Sequence, residues 1–189
     1  MGNPSDQLSD QLTESKLETF TVHLYKGETN LNGAKKFSSG NKIIDHFVQK
    51  TLKSQASAPG SSVTVLVDNS EKQRLVGFYT ISAHSLLKDD FQNTELDVGK
   101  TKIIPVVRLV MLGVDETYQG KGFGARLMRL ALDNTKRVAQ EIGCAGLYLE
   151  AAPNAVEFYS KLGFEALCEP KERIGTVDMF LHLDLIPTV

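Results

Sequence analysis

What the sequence lacks narrows the field first. It has two cysteines, Cys144 and Cys168, whose separation fits no metal or redox motif, and two thiols cannot frame a disulfide scaffold in a chain this size. No apolar run approaches the length needed to cross a bilayer, so no membrane partner is expected. The start, Met1 to about Lys16, has neither the basic stretch nor the apolar core of a secretory leader. A reducing cytoplasm is therefore the expected setting. The formal net charge is only -2, which announces no global basic field for nucleic acid. No Gly-Lys-Ser or Gly-Lys-Thr stands at Walker spacing, and the glycine turn comes late in the chain, whereas a dinucleotide fold places it after the first strand. Internal repeats and low-complexity tracts are absent too.

There remains a chain of 189 residues, enough for one domain with a real core. The polar segment 1–16 reads as a flexible tail and 17–189 as the folded domain. Asp6, Asp10 and Glu14 against Lys16 place the whole negative excess in that tail. Two stretches beyond it are basic. Lys35, Lys36, Lys42, Lys50 and Lys53 are opposed only by Asp45, and Lys121, Arg126, Arg129, Lys136 and Arg137 form the second. Either could be no more than a solvated helix face.

Hydrophobic periodicity gives the order of elements. Phe20, Val22 and Leu24 alternate with polar residues, as in a strand with one buried face. Ile44, Phe47, Val48 and Leu52 share one side of a helix from Asn41 to about Gln55, which Pro59-Gly60 ends. Val63 to Val67 and Leu75 to Ser82 read as strands joined by a polar loop, and Ser85 to Lys102 as a long loop or short helix. Ile103 to Val114 is almost continuously apolar, which fits a central strand covered on both faces. A helix from about Gly122 to Ile142 should bury Leu127, Ala131, Val138 and Ile142. Leu147 to Leu149 is a short strand. Pro153 opens a helix closed by Gly163, with Asn154 placed to help start it, and Val177 to Leu185 is a last strand burying Met179, Leu181, Leu183 and Leu185. This is a mixed α/β sandwich around one sheet.

The chemistry concentrates at Gln119-Gly120-Lys121-Gly122-Phe123-Gly124. A strand that runs into a tight glycine turn and then a helix presents N–H groups without partners, and the helix dipole adds positive potential, so the turn suits an anion such as a diphosphate. Glycines let the backbone approach closely and adopt positive φ. Lys121 and Arg126 could add charge-assisted bonds. The same glycines could also be plain punctuation between strand and helix.

Gln119-x-x-Gly122-x-Gly124, after a strand ending in Val114-Asp115, resembles the signature of the GNAT acetyltransferase superfamily. Asn154-Ala155-Val156-Glu157-Phe158-Tyr159-Ser160-Lys161-Leu162-Gly163-Phe164 resembles that family's closing helix. The resemblance implies a mainly antiparallel central sheet flanked by helices on both faces, and an N-acetyltransferase that takes acetyl-CoA as donor. It implies cofactor binding by Leu112, Gly113, Val114, Gln119, Gly120, Lys121, Gly122, Phe123, Gly124, Ala125 and Phe158. Tyr159 takes the position that gives a proton to the departing CoA thiolate. Many relatives carry an Asn seven residues before this Tyr, where this chain has Ala152. No general base is evident; Glu150 and His84 are the candidates, each also explicable as structural, and a water chain would serve as well.

Phe37-Ser38-Ser39-Gly40-Asn41 with Ile44-Asp45-x-Phe47, and Val76-Gly77-Phe78-Tyr79-Thr80-Ile81-Ser82, resemble the GNAT toxins of bacterial toxin-antitoxin pairs. That resemblance implies acetylation of the α-amine of aminoacyl-tRNA, a ribbon-helix-helix antitoxin as partner, and a homodimer. The two basic stretches are where an RNA backbone would rest. Against it, such toxins are usually basic overall, and Met111 stands where many have an Arg, with Arg108 three residues earlier. A protein or small-molecule amine is the alternative acceptor. A CoA-binding regulatory module without turnover is a further one.

Overall fold

The structure is a computed structural model and describes residues 19–92, 94–167 and 175–187. The tail expected at 1–16 and Cys168 lie outside these residues. The strands are β1 (Phe20–Tyr25), β2 (Ser62–Asp68), β3 (Arg74–Leu87), β4 (Ile103–Val114), β5 (Gly146–Ala151), β6 (Glu165–Ala166) and β7 (Val177–His182). They form one sheet in the order β1-β2-β3-β4-β5-β7-β6. β1 pairs antiparallel with β2, and β7 with both β5 and β6, while β4 and β5 run parallel. The main helices are α1, α2 (Phe123–Ile142) and α3 (Val156–Lys161), and α1 comprises α-helical Lys42–His46, π-helical Phe47–Thr51 and α-helical Leu52–Ser57. Among the described residues no helix is long and apolar enough to cross a membrane.

The chain divides into two compact units, one of residues up to Tyr79 with Met111–Leu127, the other Thr80–Val110 with Met128 onward. In the first, Val63, Val65 and Val67 point one face of β2 at Phe37, Val48, Leu52 and Phe78. The intervening Thr64, Leu66 and Asp68 are buried too, so β2 is covered on both faces. Phe78 anchors this core, stacked on Phe47 with ring centroids 5.7 Å apart and edge-on to Phe37 at 6.0 Å. Each such side chain contributes about 1.5–3 kcal/mol through burial. Asn41 caps α1 by accepting from the N–H groups of Ile43 and Ile44. β1 departs from the expected pattern at its end. Leu24 is 54% exposed and Tyr25 is the buried residue, because Tyr25 reaches the Phe37–Phe78 core and its phenol donates to Thr29 O.

In the second unit, Leu86, Phe91, Ile104, Val106, Tyr148, Leu167 and Phe180 pack together. β3 runs on to Leu87, where a loop is expected to begin, because Leu86 belongs to this core. A 3₁₀ turn, Lys88–Phe91, comes next; the Leu87 N–H donates to Asp90 Oδ2 at 2.7 Å, and Phe91 lies edge-on to Phe180. β7 stops at His182 and not at Leu185. His182 Nδ1 accepts from the Asp184 N–H at 3.3 Å and starts a 3₁₀ turn, which leaves Leu185 exposed. The buried side of α2 is Leu127, Met128, Ala131, Leu132 and Thr135. Ile142 is 80% exposed, because it is the last residue of the helix and Gly143 turns the chain away at φ 81°. The helix after Pro153 opens as a 3₁₀ turn whose cap is Ala152, with no side-chain cap bond, so Asn154 does not start it as expected.

Gly146 marks the tightest backbone approach in this unit. A methyl group there would run into the carbonyl oxygen of Leu181 on the neighbouring strand and approach Phe180 Cζ within 2.8 Å. Gly146→Ala is expected to cost about 2–3 kcal/mol of unfolding free energy. Urea titration checks this, and an unchanged midpoint would show that the strands part without penalty.

Candidate active site

β4 ends at Val114, and the next residue, Asp115, organises the turn beyond it. Its buried carboxylate accepts from Thr117 N–H at 3.1 Å and Thr117 Oγ1 at 2.6 Å through Oδ1, and from Ser38 N–H at 3.3 Å through Oδ2. Arg74 Nη2 lies 3.6 Å from Oδ1. The turn so fixed runs through 3₁₀ residues Glu116–Tyr118 to Gln119. Gly120 and Gly122 then take φ of 73° and 82°, a region that disfavours any side chain. A Cβ on either would meet nothing within 4 Å, so the backbone faces open space. No N–H from Gly120 to Ala125 donates to a backbone carbonyl among the described residues, and the first closing bond of the helix is Arg126 N–H to Gly122 O at 3.0 Å.

This turn borders a cavity of about 390 Å³ lined by Ser39, Ile44, Leu112, Gly113, Val114, Gln119, Gly120, Gly122, Phe123 and Gly124. Most of the residues expected to bind cofactor are thus gathered around one space. Gly113 is required there for a steric reason: a Cβ would stand 2.6 Å from Ile44 Cγ2 and 3.2 Å from Phe78 Cε1. Lys121 and Ala125 do not line the cavity. The Lys121 ammonium donates to Thr117 O at 3.0 Å and sits 5.2 Å over the Tyr118 ring, while Ala125 is exposed on the first turn of α2. Ser39 and Ile44 are lining residues that sequence reasoning missed. They lie far upstream of the glycine turn in the chain, and no local pattern pairs them with it.

Tyr159 and Phe158 belong to the second unit. Tyr159 lies on α3 with its ring edge-on to Phe158 at 5.1 Å and to Phe164 at 5.6 Å. Burial raises its phenol above the ordinary value, so it holds its proton at neutral pH. Phe158 is 42% exposed. Glu150 is engaged by Arg108, with Nη2 to Oε2 at 3.3 Å. Its Oε1 lies 3.3 Å from the Tyr148 phenol, whose single hydrogen it shares with Asp178 Oδ1 at 2.9 Å. Desolvation and these two carboxylates push the Tyr148 phenol far up. His84 is exposed and stacks on Tyr148 at 5.4 Å. His84, Tyr148, Glu150 and Asp178, with Leu86, Leu87, Asp90 and Leu167, border a second cavity of about 440 Å³.

Comparison with known proteins decides the family. Residues 65–183, more than half of the chain, match the acetyltransferase (GNAT) domain. The chain belongs to the GNAT acetyltransferase family. As a GNAT protein it is an N-acetyltransferase with acetyl-CoA as donor. It is similar to the probable toxin TacT of Sinorhizobium fredii, 29% identical over 143 residues, covering 69% of this chain and 77% of that protein. It is also similar to a tRNA-acetylating toxin of Mycobacterium tuberculosis, 29% identical over 130 residues, covering 68% of this chain and 76% of that protein. A crystal structure of a bacterial toxin superposes with a TM-score of 0.83 at 34% identity, covering 88% of this chain and 92% of that one.

The open glycine backbone fits a diphosphate, and a bulky side chain at its mouth should spoil that fit. Gly122→Val places a branched side chain on a φ of 82° in the mouth of the turn. CoA binding measured by calorimetry should weaken by about tenfold or more. Unchanged affinity would place the diphosphate elsewhere.

Proposed function

We propose that this GNAT protein transfers the acetyl group of acetyl-CoA to the α-amine of an aminoacyl-tRNA, acting as the toxin of a toxin-antitoxin pair. The observation that carries the acceptor is a cavity of about 740 Å³ in the first unit whose lining includes Lys35, Lys36, Lys50 and Lys53 and no carboxylate. Lys53 Nζ is held by Asn30 Oδ1 at 3.0 Å. Four lysines around one concave surface suit a phosphodiester backbone, where contacts release counterions. The small negative charge of the whole chain does not oppose this, since the sequence excess sits at Asp6, Asp10 and Glu14. The tRNA-acetylating and toxin relatives support the same reading. A ribbon-helix-helix antitoxin, a homodimer and a cytoplasmic location belong to it.

Acetyl-CoA supplies the acyl group already activated as a thioester. The N–H groups of Gly120 to Ala125 hold its diphosphate oxygens, and the backbone of Leu112, Gly113 and Val114 holds the pantetheine arm and polarises the thioester carbonyl. Gln119 and Phe123 complete the walls, and Phe158 packs beside Tyr159. Binding both partners converts the amine's attack into an effectively intramolecular step, the larger part of the rate gain. As the C–S bond breaks, Tyr159 gives its phenolic proton to the departing sulfur, and the proton shed by the attacking nitrogen returns to the phenolate through water. A phenol raised by burial lies well above a thiol on the proton scale, so it stays protonated until the thiolate forms.

Radiolabelled acetyl-CoA incubated with aminoacyl-tRNA, total protein and amine metabolites tests the proposal. Label is expected in the tRNA fraction; label confined to protein or metabolites would overturn the acceptor. Tyr159→Phe should lower kcat by about a hundredfold or more with KM for acetyl-CoA little changed. Because burial raises the phenol above 10.0, wild-type kcat should show no fall from this group below that pH and a fall above it. An unchanged kcat in the Phe variant would remove the general-acid role.

A further inference from the structure

Gln119 opens the glycine motif, yet its nitrogen donors are turned into the protein. Its side-chain amide donates to Ser39 O at 3.0 Å and to Val114 O at 3.0 Å. Its backbone N–H donates to Glu116 O at 3.2 Å. An amide nitrogen carries two hydrogens, so both are used, and the remaining side-chain atom is an oxygen that repels phosphate. Ser38 is tied to the same turn from both sides. Its N–H donates to Asp115 Oδ2 at 3.3 Å, its hydroxyl to Glu116 Oε2 at 2.9 Å, and its carbonyl accepts from Glu116 N–H at 2.7 Å. Ser39 is in turn held by Asp45, whose Oδ1 accepts from its N–H and hydroxyl at 2.6 and 2.7 Å.

We propose that Gln119 is a positioning residue, which staples the Ser38–Asn41 segment to the end of β4 and so makes that segment the second wall of the donor cavity. The placement of Ser39 and Ile44 in that wall depends on the staple. So does the aim of Val114, whose carbonyl the same amide fixes. Gln119 therefore shapes the site without touching the diphosphate. The proposal rests on reading this cavity as the acetyl-CoA site.

The test compares Gln119→Met, Gln119→Glu and Gln119→Arg. Methionine removes the donors at similar volume, glutamate is nearly isosteric but faces two carbonyls with acceptors, and arginine restores N–H donors. Met and Glu variants should bind CoA about tenfold more weakly by calorimetry, while Arg stays within about threefold of wild type. Amides of Ser39 to Asn41 should exchange faster with deuterium in the Met and Glu proteins before any ligand is added. S-acetyl-pantetheine, which carries the thioester arm without the diphosphate, separates positioning from phosphate contact. The Met variant should lose the same factor in kcat/KM on this donor as on acetyl-CoA. A loss confined to acetyl-CoA, or CoA affinity unchanged in both Met and Glu variants, would overturn the proposal. Should the Met protein fail to fold, the Glu and Arg pair decides alone. Absence of CoA binding by the wild-type protein would overturn the donor-site reading itself, and the hydrogen-exchange result would still report whether the staple exists.

Discussion

A helix leaves its first N–H groups without carbonyl partners, and ordinarily water or a capping side chain takes them. The glycines at 120 and 122 turn the backbone through positive φ, so that N–H groups from Gly120 to Ala125 are left without backbone acceptors beside open space. Such a segment would be free to rearrange if nothing held it. The restraint comes from behind: Asp115 commits its buried carboxylate to Thr117 and Ser38, and Gln119 commits its amide to Ser39 and Val114. Donors without backbone acceptors on the open side and satisfied acceptors on the closed side give the turn the chemistry of an anion site held in place before a ligand arrives.

The second unit is built differently. Its polar groups pair with one another across adjacent strands, from Arg108 on β4 through Glu150 and Tyr148 on β5 to Asp178 on β7. Tyr159 stands apart from that network. Its ring touches Phe158 and Phe164, and burial alone shifts its phenol. A proton held by desolvation is available to a leaving group that develops negative charge.

Much of this was legible in the sequence. The bounds of β4 are those expected from the apolar run, although Ile103 and Pro105 near its start are exposed and only the rest of the strand is covered on both faces. The glycine turn could be placed because positive φ leaves few residue choices. The features that were not legible depended on partners distant in sequence. Leu24 is the more apolar of the pair, yet Tyr25 is the one buried, because Phe37 and Phe78 lie on its side and Thr29 O takes its phenol. Leu183 and Leu185 continue the alternation of β7, but a cap from His182 ends the strand first. Lys121 looks like a phosphate ligand by position, yet Thr117 O and the Tyr118 ring hold it. The roles of Gln119 and Glu150 were hidden in the same way. A motif names a residue type at a position, while the direction of its side chain is set by carbonyls and guanidinium groups that the motif does not contain. Asp115 is the exception, since an Asp two residues before a Thr is a local turn signal.

In the proposed function the N–H groups of the glycine turn, which have no backbone acceptors among the described residues, bind the diphosphate of the donor. Titration of CoA into the ¹⁵N-labelled protein, followed by amide resonances, addresses it most directly. The amides of Gly120, Gly122 and Gly124 are predicted to move together and to saturate with the binding curve. Resonances of these three glycines that stay fixed while others elsewhere shift would contradict it.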